Sequence, residues 1–325
     1  NHKYIIGLSG QYDNFDEHLN GANVGREEQS AGAYGEYTYV NGDKITVVAG
    51  LRLDNNNLHG WLFAPRINVK YDFTDKLVLR ASAGRGFRSP NQIADNLGIL
   101  STGRKIKMEE HPDMEEAWTY GMNLTGYLPI GFDKNATVSF EYFRTDFQHQ
   151  LIVDQERDLS TIWLYNLSGR SYTNTYQADF SIQPVERFTV LLTYRLTDAK
   201  VTLENQGLVE RPLMSKYKGV LNLQYATRMN KWTFDFTAQL NGPARLPNFM
   251  DKEYSPVYSV LFAQVTKKFK KLDVYIGGEN LTNYRQKNPI LNADQPYSEG
   301  FNTTVIWGPL MGIKLYAGLR FTLWK

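Results

Sequence analysis

Lys231–Asn241 reads KWTFDFTAQLN and alternates without a break. Trp232, Phe234, Phe236, Ala238 and Leu240 fall on one side, and Thr233, Asp235, Thr237, Gln239 and Asn241 on the other. Only a β-strand has a side-chain period of two, so such a run is a half-buried strand with one apolar face. The pattern recurs in Trp61–Phe73, where Arg66, Asn68, Lys70 and Asp72 oppose an aromatic and aliphatic face, and in Ile45–Asp54. Aromatic residues gather near the ends of the apolar faces, as the interfacial girdles of a membrane barrel require.

Reading on in this way predicts strands at 2–12, 31–40, 44–54, 61–73, 76–86, 114–128, 134–153, 161–183, 187–199, 214–227, 231–241, 256–268, 271–281 and 311–324. The connections sort by parity. Asn41-Gly42-Asp43, Thr74-Asp75, Pro129–Asp133, Gln183–Arg187, Thr227–Asn230 and Lys268–Lys271 are short. Those at 13–30, 55–60, 87–113, 154–160, 200–213, 242–255 and 282–310 are mostly longer. Tight turns at one rim and long loops at the other are expected of an outer-membrane barrel with periplasmic turns and extracellular loops. A soluble sandwich has no reason to sort its connections so strictly. The expected fold is therefore all-β, a transmembrane antiparallel β-barrel of about fourteen strands, with the C-terminus on the periplasmic side.

Composition agrees once the barrel is considered. The chain holds 21 Tyr, 17 Phe and 6 Trp in 325 residues. Its mean hydropathy of −0.45 excludes only helical membrane proteins, because half of each barrel strand faces a polar lumen. The longest uncharged run, Ala117–Phe132, is interrupted by Gly, Pro and Asn and falls short of a spanning helix. A formal net charge of +2 suggests no nucleic-acid footprint. With no cysteine there are no disulfides, thiolate zinc sites or thiol nucleophiles. No signal peptide stands before YIIGLSG, so the chain is expected to be mature, cytoplasmic or part of something longer.

The segment AGRGFRSPNQIADN at 83–96 invites comparison with a phosphate loop, but no G-x-G-x-x-G or P-loop pattern is present and no adequate helix follows. Gly84 and Gly86 read better as strand-end glycines at a barrel rim. Arg88 and Asn91 either hold the loop that starts there or touch a ligand. Arg104 and Lys105, in the basic stretch 104–107, face a solvated or lipopolysaccharide-rich surface on one reading and an anionic ligand on the other. Tyr284, Arg285, Tyr297, Phe301 and Trp307 offer stacking surface in 282–310, although rim aromatics often only pack. Catalytic and metal sites are not expected, since no two of the five histidines lie closer than sixteen residues apart.

Six stretches in order resemble the C-terminal barrel of TonB-dependent outer-membrane receptors, of Bacteroidetes type. They are AGLRLD (49–54), APRINVKYDFTDKLVLRASAGRGFRSPNQIADN (64–96), MEEAWTYGMNLTGYL (114–128), SFEYFRTDFQHQLIVDQE (139–156), GGENLTNYRQKNPI (277–290) and WGPLMGIKLYAGLRFTL (307–323). Tyr316-x-Gly318-x-x-Phe321-x-Leu323 also resembles the terminal assembly signal of outer-membrane proteins, with Trp324-Lys325 following where an aromatic normally ends it. The resemblance implies a barrel of about 22 strands filled by an N-terminal plug, so that residues 1–325 would supply its last strands, with the plug and first strands before Asn1. It further implies ligand uptake energised through TonB, the ligand being a siderophore-iron complex, haem, cobalamin or similar, and no cofactor. Implied partners are outer-membrane lipid, lipopolysaccharide, TonB through the N-terminal region, an extracellular ligand and a surface lipoprotein. The competing expectations are a complete 14-stranded passive channel and, more remotely, a rim-sited enzyme.

Overall fold

The computed structural model describes residues 1–19, 22–132 and 136–323. Fourteen strands form one antiparallel wall in which sequence neighbours are spatial neighbours. They are His2–Phe15, Arg26–Asn41, Ile45–Asn56, Gly60–Thr74, Leu77–Arg88, Glu115–Leu128, Ala136–His149, Ser171–Val185, Phe188–Leu203, Tyr217–Ala226, Trp232–Asn241, Tyr258–Lys268, Leu272–Glu279 and Lys314–Phe321. Among the described residues the first and last do not pair with each other, so the wall is an open sheet with two free edges.

Register places like with like. Val47 lies opposite Val69, Leu53 opposite Phe63, Leu79 opposite Leu124 and Leu223 opposite Phe236. The face these pairs share is left uncovered: Ile6 is 85% exposed, Leu8 84%, Leu315 74% and Leu319 69%. So much exposed aliphatic surface would be untenable in water, and it fits a wall turned toward hydrocarbon. The opposite face carries ion pairs instead, among them Arg66–Glu36, Arg52–Asp54 and Lys70–Asp72. Trp61 stands at the long-loop end; Tyr71 meets Phe73 edge-on near the short-turn end, where Lys267 covers the Trp232 ring at 4.2 Å.

Departures from the expected strands cluster at the long-loop end. The strands expected at 134–153 and 161–183 are each cut. The register slips between Phe147 and His149, and buried Gln150 accepts a 2.7 Å hydrogen bond from Ser171 Oγ. Beyond that point Leu151–Asp154 pairs with Thr161–Asn166, and Lys105–Met108 joins the latter in parallel, making a separate three-stranded sheet. LIVD and TIWLYN break the alternation with consecutive apolar residues, the pattern of strands covered on both faces, and neither shows an exposed side. The 55–60 connection, expected to be one of the longer ones, is a tight turn over 57–59: Asn56 Oδ1 accepts from the Leu58 and His59 amides, and Gly60 takes φ +69°. The 13–30 connection shrinks to 16–25 with a small hairpin, His18–Leu19 against Ala22–Asn23. Within 200–213, Phe188–Leu203 runs on and is met by Gly207–Glu210. The end of the Pro129–Asp133 turn, the first residues of the strand expected at 134–153, and Trp324-Lys325 lie outside the described residues.

Compact apolar cores sit at this same end. Ile99, Ile162 and Leu164 make one cluster, and Ile152, Tyr165, Val201 and Leu203 another. Fully buried Asp154 accepts from Tyr165 Oη and the Glu156 amide, both at 2.8 Å. Burial pushes the Tyr165 phenol well above its ordinary range; the bond from the Glu204 amide opposes this and the Asp154 bond adds to it.

Wall packing tolerates no side chain at Gly121. A Cβ there would overlap the Tyr142 carbonyl oxygen and come within 2.6 Å of the Phe143 ring. Gly121→Val should therefore block wall assembly, seen as loss of the compact, fast-migrating band on unheated detergent gels. An undiminished band would show that the two strands can separate to admit it.

Candidate functional site

A cavity of about 960 Å³ opens where the wall meets the small sheet. Its floor is the end of Leu77–Arg88 and the start of Glu115–Leu128, and its roof includes Leu151, Ile152 and Glu156. Gly84 and Gly86 belong to the floor, so the rim glycines of AGRGFR leave room for the cavity.

Ion pairs fix the lining. Arg85 donates from Nε to Glu116 at 2.8 Å and from Nη2 at 2.5 Å, a bidentate pair. Arg88 meets Glu115 at 2.5 Å and Asp95 at 3.1 Å. Arg66 pairs with Glu36 at 2.5 Å. On the roof, buried Glu156 accepts from Arg245 Nη1 and Nη2 at 3.0 and 2.6 Å and from the Asn248 amide at 3.2 Å. Removing one member of so buried a pair typically costs about 3–5 kcal/mol, so this contact anchors 245–248 to the roof.

Two further residues shape the roof. Arg104 Nη2 donates to three carbonyls, those of Gln155 and Asp158 at 2.6 Å and of Thr161 at 2.9 Å. Burial lowers its pKa, and the carboxylates of Asp158 and Asp154 oppose that. Asp158 accepts from the Ser160 and Thr161 amides, Ser160 Oγ and Trp163 Nε1. Burial alone would raise its carboxyl, but these bonds carry it down to about 2.

The two longest loops are clasped above the cavity. Ser101 Oγ lies 2.9 Å from Thr303 Oγ1, Thr102 Oγ1 donates to the Phe301 carbonyl at 2.8 Å, and Thr304 bonds Gln155. The GGENLTNYRQKNPI stretch is tied mainly to 305–311: Asn280 Nδ2 donates to the carbonyls of Tyr284 and Met311, Gln286 Nε2 donates to the Val305 carbonyl, and Gln286 Oε1 accepts from the Trp307 and Gly308 amides.

Of the nine residues proposed from sequence, Arg88 alone lines the cavity. Asn91 accepts from Arg26 Nη2 at 2.5 Å, tying its loop to Arg26–Asn41. Arg104 is spent on loop carbonyls, and Lys105 pairs with Glu299 at 3.3 Å on the surface. Tyr284 stacks on Tyr258 at 4.7 Å, with Trp307 6.4 Å from Tyr284. Arg285 Nη2 reaches Asn283 at 3.4 Å, and Tyr297 is fully exposed. Arg85, Glu115, Glu116, Glu156 and Arg211 were missed. Arg85 sat in the very stretch that drew attention, whereas Arg211 had no signal beyond a cation before Pro212 in a loop. Among the described residues no cluster of three or more His, Asp or Glu could hold a metal ion.

Arg104→Gln should cost the roof about 1–3 kcal/mol by leaving carbonyls unpaired, read as faster proteolysis within 155–161 without loss of the wall. Resistance equal to wild type would remove Arg104 from that role. For Asp158 the depressed folded pKa means stabilisation is full above the ordinary carboxylate value and is lost as pH falls through about 2. Pepsin should then spare the Leu159 bond at pH 4 and cut it near pH 2; equal cutting at both would contradict the assignment.

Similarity to known proteins accords with this architecture. The ferric enterobactin receptor of Pseudomonas aeruginosa, solved in complex with enterobactin, superposes with a TM-score of 0.72 at 12% identity over 98% of this chain and 51% of that one. A siderophore receptor of Acinetobacter baumannii gives 0.66 at 12% over 98% and 55%, and the copper transporter OprC gives 0.72 at 14% over 99% and 54%. This chain thus spans about half the length of the structures it matches, and at such identities the likeness concerns the fold. No curated protein matches it in sequence. The family model for TonB dependent receptor-like β-barrels matches residues 3–281, and the chain belongs to that family.

Proposed function

We propose that this chain is the C-terminal wall and loop region of an energy-coupled outer-membrane receptor that imports a scarce ligand with TonB. The observation that carries the reading is the cavity of about 960 Å³ held under clasped loops, at one end of a wall with an apolar outer face. On this reading the long loops face the outside, the short turns and the C-terminus face the periplasm, and the loops set specificity. The neighbours named above are receptors or transporters of siderophores and copper, which supports uptake and leaves the ligand class open. The Bacteroidetes affinity rests on the six sequence stretches.

A complete fourteen-stranded passive channel is less well supported. The free sides of His2–Phe15 and Lys314–Phe321 do not pair with each other, and an unpaired strand edge is untenable in hydrocarbon. Further strands between them, with a plug inside, would satisfy both edges. TonB would act through the plug, and lipid and lipopolysaccharide would contact the outer face. A surface lipoprotein above the loops belongs to the same proposal.

Deleting the gene should abolish accumulation of one of ferric siderophore, haem, cobalamin or copper. A protonophore should reproduce that loss in the intact strain. Uptake that survives collapse of the proton-motive force would point to the passive channel.

A further inference from the structure

Among the described residues, one cation of the cavity lining holds no side-chain partner. Arg66, Arg85 and Arg88 are each bound to carboxylates, whereas Arg211 has no side-chain hydrogen bond or ion pair among the described residues. Arg104, by contrast, has Nε and Nη1 sealed from solvent and unpartnered. The Arg211 nitrogens are not so sealed, and its guanidinium carries five donors. Burial lowers its pKa, and the one carboxylate whose charge opposes that is Glu115, which lines the same cavity. A guanidinium stays charged even so.

The backbone presents this side chain firmly. The Arg211 amide bonds the Ala199 carbonyl at 2.9 Å, Pro212 follows, and the Leu213 amide bonds Arg245 at 2.8 Å. Leu213 adopts φ +60°, a left-handed conformation uncommon for a bulky side chain, and it too lines the cavity. Strain of this kind persists where the surroundings force it, and it gathers at ligand sites. Here it lies two residues from the free guanidinium.

Charge around the cavity sets a limit. Arg66, Arg85, Arg88 and Arg211 share the lining with Asp95, Glu115, Glu116 and Glu156, so the formal charges cancel. A polyanion would gain Arg211 and meet four carboxylates. We infer that the cavity takes a ligand offering Arg211 a single anionic oxygen group, a carboxylate or a phosphate, with little charge elsewhere. This rests on the receptor reading and narrows its substrate class away from highly charged complexes.

The test uses the full-length receptor in detergent, titrated calorimetrically with acetate, inorganic phosphate and inorganic triphosphate. Acetate or phosphate should bind saturably, and whichever binds identifies the group. Triphosphate should bind no more than about threefold tighter than phosphate, since repulsion from the carboxylates offsets its extra charge. Arg211→Gln should weaken binding roughly tenfold or more, and Arg211→Lys, lacking the planar fork, should fall between. Arg228→Gln, at a short turn, should change nothing. Absence of binding by both small anions, an unaffected Arg211→Gln, or triphosphate binding over about tenfold tighter would overturn the inference. The titration reads occupancy and not transport, so failure of the receptor reading would appear separately, in the uptake experiment.

Discussion

Lateral pairing of the backbone governs this structure. In hydrocarbon an unpaired amide or carbonyl has no water to turn to, so a strand must be bonded on both sides along its whole length. The twelve inner strands of the wall meet that demand by bonding to the wall strand on either side, without crossovers, while the first and last are bonded on one side among the described residues. Everything else in the wall follows. The apolar face can be exposed because lipid, and not water, is its solvent; the polar face can keep ion pairs such as Arg66–Glu36 because it looks inward.

Where the chain leaves the wall the solvent changes and so do the rules. At the long-loop end the backbone finds partners in a separate three-stranded sheet, in side-chain caps such as Asp158, and in carbonyl anchors such as Arg104. These are the devices of a water-soluble domain, with small apolar cores of its own. The cavity lies at the junction of the two regimes. Its floor is wall, and its roof is the small sheet with the loop residues anchored to it. A binding site that combines the two can hold charge in fixed places while its loops vary.

Much of the wall was legible from residues alone. KWTFDFTAQLN and WLFAPRINVKYDF announce their faces, and both form strands with those faces. All fourteen expected wall strands exist, though their ends moved. At two of the misread ends the consecutive apolar residues of LIVD and TIWLYN mark strands covered on both faces, and the slip beside Gln150 and its bond to Ser171 separate them from the wall. Among the site candidates, charge and aromaticity were visible and their use was not. Arg104 and Arg88 look alike in sequence; one is consumed by three carbonyls and the other borders the cavity.

The amino-acid sequence by itself determined the fold class, through period-two patterning and turn spacing, and pointed to the family through the resemblance of six ordered stretches, because all of these are local properties carried by consecutive residues. Tertiary structure alone decided which charges are spent and which are free. Arg85 finds Glu116 across 31 residues and Arg245 finds Glu156 across 89, while Arg211 finds no side-chain partner among the described residues. Pairing of that kind depends on where distant strands and loops meet, and no local pattern encodes it.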